Sequence, residues 1–202
     1  MHVAGPGSKR GALGIAALFV LSGIAAQASA APVFNSVNGH YYDAIAVAGG
    51  INWNIAKTAA EGLSLSGAQG HLVTITSAAE QSFIVANLPL SLGSASQFGY
   101  WIGASNPSGA NSNAGYTWVT GETFSYTNWN VGEPNGHDGA PSAIHFFGLG
   151  STPGAWNDAN AANWNFPGYI VEFEPVSVPE PASLALFGIG LLGFGFSMRK
   201  KA

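Results

Sequence analysis

Four side chains in the second half of the sequence carry oxygen atoms of the kind that a hard cation binds. Glu133 and Asn135 flank Pro134, and Asn157 stands next to Asp158. Each pair joins a carboxylate to a carboxamide, and both groups are ligands for hard divalent cations. A carboxamide that binds a cation through its oxygen keeps its NH₂ to donate, while a carboxylate keeps a lone pair to accept. The two pairs therefore predict a cation site that also offers hydrogen bonds to a second ligand.

Two other interpretations of these residues are open at this point. Glu-Pro-Asn is also a good plain turn, because proline pre-sets φ and asparagine tolerates bends. Glu133 and Asp158 could instead form the carboxylate pair of a glycoside hydrolase. Such a pair needs one carboxyl group with a raised pKa, and no such environment can be deduced from a sequence.

The segments before these residues predict a hairpin and a first helix. Asn38-Gly39 is the dipeptide that best accepts two positive φ angles, so it predicts a tight hairpin turn. Asn52 is a good N-cap for a helix that begins at Trp53 and carries apolar residues at helical spacing. Gly67 and Gly70 are expected to end this helix.

A second helix and a series of strands follow. Ser77 and Glu80 form a capping box, in which the serine hydroxyl accepts from the Glu80 amide and the carboxylate returns to the Ser77 amide. Pro89 stops this helix. Strands are expected at residues 71–75, 100–104, 117–119, 143–147 and 169–173, separated in part by long Gly-, Asn- and Ser-rich loops. Two early helices followed by strands predict an α+β fold.

The distribution of charge narrows the choice of partner. Charged residues make up 8% of the 202 residues, against about 25% in an average protein. Lys57 is the one base between Ala31 and Ser177, and nine acids stand in the same stretch. A nucleic-acid binder needs Lys and Arg to displace counterions, so we expect no nucleic-acid partner. Cysteine is absent, which excludes disulfides, thiolate zinc sites and thiol catalysis. This composition favours neutral ligands or cations.

The first 30 residues are typical of a secretory signal peptide. Lys9 and Arg10 supply a positive flank, residues 11–24 form an apolar run, and Ala28-Ser29-Ala30 gives a small-x-small cleavage site. The run is too short to span a membrane comfortably as a permanent helix. We therefore expect a mature chain that starts at Ala31 and is exported across the inner membrane.

The last 26 residues, 177–202, have three parts of their own. Residues 178–181 read Val-Pro-Glu-Pro, residues 182–198 form an apolar run, and residues 199–201 are basic. As a helix the run is roughly 26 Å long, near the lower limit for a bilayer. The three parts resemble the PEP-CTERM sorting tail. The resemblance implies cleavage by an exosortase after transient anchoring through the transmembrane segment 182–198, and release to the cell surface or beyond. A permanent tail anchor is the alternative.

The region between these ends, residues 31–176, resembles the C-type lectin-like domain. The phrases that carry the resemblance run in family order from residue 34 to residue 174. They are Trp101-Ile102-Gly103, Gly115-Tyr116-Thr117-Trp118, Glu133-Pro134-Asn135, Trp156-Asn157-Asp158 and Tyr169-Ile170-Val171-Glu172. The resemblance implies an α+β fold with two helices, antiparallel sheets and a long loop region, here without disulfides. We interpret Trp156 as a core residue, with a sugar-stacking surface as the alternative, and Trp101, Trp118 and Trp129 as core residues by the same argument.

The same resemblance implies a calcium site that binds sugar. Its ligands would be Glu133, Asn135, Asn157 and Asp158, with the Glu133–Pro134 peptide bond in the cis form. Two adjacent sugar hydroxyls would fill open positions on the ion while they bond to the ligand side chains. The order Glu-Pro-Asn resembles the subset of the family that prefers mannose-type sugars. The resemblance implies binding and not catalysis, so we expect no enzyme.

One position departs from the family pattern. Calcium-binding relatives carry a further acidic ligand eight residues after the glutamate of Glu-Pro-Asn, and here that position is Pro141. Asp138 could take its place. Otherwise the calcium site would be weaker, which extracellular calcium modules tolerate.

Two functions therefore follow from the sequence. The first is an exported lectin-like protein that binds carbohydrate through calcium, with secreted exopolysaccharide as the ligand that the sorting tail implies. The second is a structural or protein-binding matrix module that keeps the fold and has lost the sugar site, for which Pro141 is the main support.

Overall fold

The computed structural model describes residues 31–90, 98–109, 113–136, 141–147 and 154–175. Within these ranges the chain forms two helices and nine strands, so the predicted α+β class is confirmed. The helices are α1 (Trp53–Glu61) and α2 (Ala78–Asn87). The strands are β1 (Val33–Phe34), β2 (Tyr41–Ile51), β3 (Ser64–Leu65), β4 (Ala68–Leu72), β5 (Phe98–Asn106), β6 (Thr117–Trp118), β7 (Ser142–Phe147), β8 (Trp156–Asn160) and β9 (Phe166–Phe173).

The last strand, β9, lies at the centre of the sheet. The main path runs β1-β2-β9-β5-β7-β8, while β4 also pairs with β9, β3 with β4 and β6 with β5. The expected antiparallel pairing holds for all but one of these contacts, because β5 and β9 run parallel. Strand β2 pairs with β9 from Tyr41 opposite Phe173 to Ala46 opposite Gly168. The two ends of the described chain therefore lie side by side.

The opening hairpin forms, but its turn is longer than predicted. Phe34 pairs with Tyr41, and Gly39 is the one residue between them with positive φ. The Asn35 side chain accepts from the Val37 amide, and the Asn38 side chain accepts from the His40 amide. These local bonds satisfy the backbone of a six-residue turn. The prediction of a two-residue turn at Asn38-Gly39 was therefore wrong.

Helix α1 begins as predicted and ends early. The Asn52 side chain accepts from the Ile55 amide at 3.0 Å, which confirms the N-cap. The helix stops at Gly62, and β3 and β4 follow as a short hairpin whose turn contains Gly67 (φ 87°). Gly67 and Gly70 therefore do not end the helix. The strand predicted at residues 71–75 is observed as β4 (Ala68–Leu72), which starts earlier because it pairs with β3 in this hairpin.

Helix α2 has half of the predicted capping box. Ser77 Oγ accepts from the Glu80 amide at 3.2 Å. The Glu80 carboxylate instead accepts from the Thr76 amide at 2.9 Å and from the Tyr42 hydroxyl at 2.6 Å. Glu80 is 5% exposed, and its charge is satisfied by the loop residue Thr76 and by Tyr42 of β2, not by the Ser77 amide. The helix ends before Pro89, as predicted.

The core lies on both faces of the sheet. One cluster contains Trp156, Trp118 and the apolar face of α2, and the other contains Trp101 and the apolar face of α1. Trp101 and Trp156 are fully buried, and Trp129 packs against the first cluster. The core roles predicted for these tryptophans are confirmed. The described part of the chain contains no helix that is long and apolar enough to cross a membrane. The predicted signal peptide (1–30) and transmembrane segment (182–198) lie outside the described residues.

Candidate carbohydrate and calcium site

The Glu-Pro-Asn loop is tied to strand β8 by backbone hydrogen bonds. The Trp156 amide donates to the Asn128 carbonyl at 2.7 Å, and the Asn130 amide donates to the Trp156 carbonyl at 2.8 Å. The Glu133 amide then donates to the Asn130 carbonyl at 3.0 Å, which closes a turn. The start of β8 therefore fixes the position of the loop, although the two segments are separated by more than 20 residues of sequence.

Three of the predicted site residues meet at one point. The Asn135 amide donates to Asp158 Oδ1 at 3.0 Å and to Glu133 Oε2 at 3.0 Å. Asn135 Nδ2 donates to Glu133 Oε1, also at 3.0 Å. The Glu133–Pro134 peptide bond is cis, as the resemblance implied. Two carboxylates and one carboxamide are thus brought together from a loop and a strand.

Two side-chain oxygens of β8 are buried and make no hydrogen bond to the described residues. Asp158 is 3% exposed, and its Oδ2 atom has no hydrogen bond to any described residue. The same is true of Asn157 Oδ1. A buried oxygen without a partner costs about 1–3 kcal/mol, so native structures seldom leave one unless an ion or water satisfies it. Both atoms are acceptors that a cation would satisfy.

The other predicted residues are placed as follows. Asn157 lies next to Asp158 on β8, and no side-chain hydrogen bond joins it to Glu133 or Asn135 within the described residues. Pro141 is exposed and directly precedes β7, where its carbonyl accepts from the Ala161 amide at 2.9 Å. Asp138 lies outside the described residues.

The strand beneath the site rests on an aromatic cluster. The ring of Trp156 makes edge-on contacts with Trp118, Tyr126 and Trp129 at centroid distances of 5.7–5.8 Å. Its indole Nε1 donates to Gln81 Oε1 at 2.9 Å. This packing fixes the residue that immediately precedes Asn157 and Asp158, so the aromatic residues position the site.

The negative charges of the site affect the pKa of a buried tyrosine, Tyr116. The Tyr116 hydroxyl lies 2.9 Å from Ser142 Oγ, and both groups are buried. Burial raises the pKa of Tyr116 and the hydrogen bond with Ser142 lowers it, while the neighbouring carboxylates of Asp158 and Glu133 raise it further. The phenol therefore stays protonated at all physiological pH values, and the group beside the carboxylates is uncharged.

Sequence reasoning did not single out Gln81 or Tyr116 as supports of the site. Gln81 lies on α2, where a polar residue is usually exposed, but it is 6% exposed and bonds to Trp156 and the Gly154 carbonyl. Tyr116 stands within one of the family phrases and could have been examined for this role. The burial of Gln81 depends on how α2 packs against β8, and no local pattern indicates it.

Two family models match the chain. The model described as the lectin C-type domain matches residues 51–165, and the model described as the PEP-CTERM protein-sorting motif matches residues 177–200. The first match contains Glu133, Asn135, Asn157 and Asp158. It spans more than half of the chain.

Similar proteins carry lectin names. C-type lectin domain family 4 member G of Mus musculus is 36% identical over 104 residues, which cover 50% of this chain and 31% of that protein. C-type mannose receptor 2 of Homo sapiens is 33% identical over 127 residues, which cover 57% of this chain and 8% of that protein. The chain thus spans less than a third of the length of these relatives.

Solved structures show the same fold. The C-type lectin CEL-I from Cucumaria echinata superposes with a TM-score of 0.52 at 23% identity, covering 67% of this chain and 90% of that one. A structure described as the EPNH mutant of CEL-I gives a TM-score of 0.52 at 26% identity, covering 67% and 89% of the two chains.

Proposed function

The chain belongs to the C-type lectin domain family, and from that premise we propose that it binds carbohydrate through a calcium ion held by Glu133, Asn135, Asn157 and Asp158. The family is a non-enzymatic one, so the acidic pair Glu133 and Asp158 is interpreted as a set of ligands and not as hydrolase carboxylates. The expectation that the chain is not an enzyme agrees with this membership.

The observation that carries the proposal is the state of Asp158. Its carboxylate is almost completely buried, one oxygen is bonded to the Asn135 amide, and the other has no hydrogen bond to the described residues. A carboxylate in this state is destabilising unless a positive charge compensates it. No Lys or Arg stands between Lys57 and Arg199. A bound cation is therefore the natural counter-charge.

The residues present fit calcium in their chemistry. Calcium accepts carboxylate, carboxamide and backbone carbonyl oxygens and does not require nitrogen or sulfur. Glu133 and Asp158 supply two negative charges, and Asn135 and Asn157 supply carboxamide oxygens. Bound calcium would offer open positions to two neighbouring hydroxyls of a sugar. The chain's own side chains would then accept from those hydroxyls through carboxylate oxygen and donate to them through amide NH₂.

The order of the ligands supports a mannose-type sugar. Glu133 precedes Asn135, as in the mannose-preferring pattern that the sequence resembles, and one relative bears the name mannose receptor. The order sets which side of the ion accepts a proton and which side donates one. Because the sorting tail implies an exopolysaccharide ligand, an exopolysaccharide that contains such sugars is the proposed natural ligand.

The experiment exchanges the two ligands. In the double variant Glu133→Gln with Asn135→Asp, the volumes, the formal charge and two oxygen ligands are kept, but donor and acceptor change places. Each mispaired buried hydrogen bond costs about 1–3 kcal/mol, so binding to mannose-type ligands should fall roughly tenfold or more. We expect binding to move toward galactose-type ligands on a glycan array with calcium present.

Two controls make this result interpretable. The variant Glu61→Gln removes an exposed carboxylate on α1, far along the chain from the site, and should keep the wild-type glycan profile. Chelation of calcium with EDTA should abolish binding by the wild-type chain. If wild type and the double variant show the same profile, the Glu-Pro-Asn loop is not the recognition surface.

A second candidate function rests on Pro141. Because this residue has no side-chain oxygen, the site lacks an acidic ligand that calcium-binding relatives carry, and a structural or protein-binding matrix module is the alternative. Thermal unfolding of the full chain with increasing calcium separates the two. A native-state ligand raises stability by RT ln(1 + [L]/Kd), so the absence of any shift at about 10 mM calcium, well above the range of extracellular sites, favours the structural module.

We further propose that the domain boundaries follow the two ends of the sequence. Residues 1–30 would direct export, residues 31–176 would form the lectin domain, and residues 177–202 would serve as the sorting tail. The PEP-CTERM match over residues 177–200 supports sorting through an exosortase. The final location at the cell surface or in the extracellular matrix belongs to the same proposal.

A further inference from the structure

A second group of metal-ligating side chains lies where β9 ends. Its members come from both ends of the described chain. The ligand atoms of His40, Glu172 and Glu174 all lie within 4.8 Å of one another. His71 lies beside this group of three, with its Nε2 atom 3.6 Å from Glu174 Oε1. None of these residues contributes to the lectin site, and their sequence spacing gave no sign of a metal.

Strand register explains why these side chains lie near one another. Glu172 and Glu174 are two residues apart at the end of β9, so they leave the strand on the same face. His71 on β4 stands directly opposite Glu172 on one side. On the other side Tyr41 pairs with Phe173, and His40 and Glu174 are the next residues just beyond this pair. Three adjacent strands therefore deliver one face of nitrogen and oxygen ligands.

One ring nitrogen of His71 makes no hydrogen bond to the described residues. Its Nδ1 atom lies 3.0 Å from the Leu72 carbonyl, and a carbonyl only accepts, so Nδ1 carries the proton. In the neutral ring Nε2 is then a lone pair, and it faces the Glu174 carboxylate, which is also an acceptor. Nε2 is buried and has no hydrogen bond to any described residue. The contact becomes attractive when Nε2 carries a proton or when a metal cation lies between the two groups.

The Nδ1–H bond also prepares His71 as a ligand. Metal-binding histidines regularly donate their other ring proton to a carbonyl or carboxylate, which fixes the tautomer and the ring orientation. Glu172 is held in a similar way. It is 1% exposed, its Oε2 accepts from the Thr74 amide at 2.9 Å, and its Oε1 is 2.6 Å from His40 Nδ1. A bound metal would leave the His71–Leu72 and Thr74–Glu172 bonds in place. It would replace the proton between His40 and Glu172.

We propose that His40, His71, Glu172 and Glu174 form a zinc site that joins strands β2, β4 and β9. Two imidazoles and two carboxylates make four ligands of the types that zinc takes in tetrahedral sites. Imidazole nitrogen favours zinc and its first-row neighbours over calcium, which prefers six to eight oxygens. The proposal rests on no part of the lectin function.

The consequence of such a site is structural. It would link residues 132 positions apart, His40 and Glu172, in a chain that has no cysteine. Cross-links that close long loops restrict the unfolded chain most. Glu174 stands three residues before the match to the sorting motif begins, so the link would hold the base of the tail to the first strands of the domain.

The test is zinc binding by the full chain without a histidine tag. Chelator-treated protein is titrated with zinc chloride by calorimetry at about pH 7.5, because metal binding releases protons and its affinity depends on pH. We expect one zinc ion per chain and a rise in the melting temperature. Glu174→Gln neutralises a half-exposed ligand and should fold normally, while His71→Gln removes the orphan nitrogen. Each should weaken zinc binding by about tenfold or more.

The controls separate this site from non-specific binding and from the calcium site. Glu61→Gln, which removes an equally exposed carboxylate elsewhere, should leave zinc affinity unchanged, and so should Asp158→Asn. Calcium at the same concentrations should not compete. The proposal is overturned if the wild-type chain binds no zinc below about 1 mM, or if Glu174→Gln and His71→Gln both bind zinc as tightly as Glu61→Gln does.

Discussion

Replacement of Asp158 by asparagine should change the stability of the protein in opposite directions with and without calcium. The substitution keeps the size of the side chain and the oxygen that accepts from the Asn135 amide. It removes the charge and replaces one carboxylate oxygen by NH₂. Because Asp158 is 3% exposed and its Oδ2 has no hydrogen bond to the described residues, the carboxylate is destabilising when no ion is bound.

The size of each effect can be worked out from the structure. In EDTA the variant loses the buried charge but places an NH₂ group where Oδ2 was, so it should be more stable than the wild type by only about 1 kcal/mol, which for a domain of this size raises Tm by about 3 °C. With about 10 mM calcium and a Kd near 1 mM, the wild type gains about 1.4 kcal/mol. The variant lacks a charged ligand in a site that is already short of one at Pro141, so it should gain almost nothing.

The assay is thermal unfolding of the full-length wild type, Asp158→Asn and Glu61→Gln, each in EDTA and in calcium. Glu61→Gln also removes one negative charge, but from an exposed position on α1, and should follow the wild type in both conditions. A calcium-induced shift in Asp158→Asn equal to that of the wild type would refute the assignment of this carboxylate as a ligand. A variant that is less stable than the wild type in EDTA would refute the view that the buried oxygen lacks a partner.

Three further predictions concern the support of the site, a buried histidine and the tail. Gln81→Leu should lower the free energy of unfolding by about 1–3 kcal/mol, because the indole of Trp156 loses its acceptor; unchanged urea denaturation curves would contradict this. Burial lowers the pKa of His145 to about 3, whereas the pKa of a histidine in the unfolded chain is about 6.5. Below about pH 6.5 the unfolded chain therefore binds more protons than the folded chain, and the free energy of unfolding falls by about 1.4 kcal/mol for each pH unit. The NMR resonance of His145 Cε1–H should accordingly not titrate above about pH 4, and a midpoint near 6 would show that the ring is hydrated. Intact-mass analysis of protein released from the native host should give a chain that ends near residues 178–181, and a mass that includes residues 199–201 would indicate a permanent anchor.

The local signals in the sequence were sufficient where the bonds they describe are local. Asn52 and Ser77 cap their helices through residues three positions away, so the start of each helix could be predicted from a few letters. The cis Glu133–Pro134 bond and the burial of the tryptophans followed from the family resemblance. The order of the phrases along the chain was enough to identify the fold.

The same signals failed where a distant strand competed with the local bond. Glu80 was expected to return to its own cap, but Tyr42 and Thr76 take its carboxylate. Helix α1 was expected to reach Gly67, but it ends earlier because β3 and β4 form a hairpin that pairs with the C-terminal strand. In each case the contact that decides the outcome involves a residue that the local pattern does not contain.

The sequence by itself determined the chemical character of this protein. Oxygen ligands in the Glu-Pro-Asn and Asn-Asp pairs, the lack of bases and the lack of cysteine are properties of composition and order, and they do not depend on how the chain folds. Only the tertiary structure decided which of those groups are buried and which face one another. It placed Asp158 under the Asn135 amide, left its second oxygen without a partner, and brought His40 beside Glu172 across 132 positions. The physical reason is that burial and long-range pairing depend on strand register, because one step along a strand moves a side chain to the opposite face.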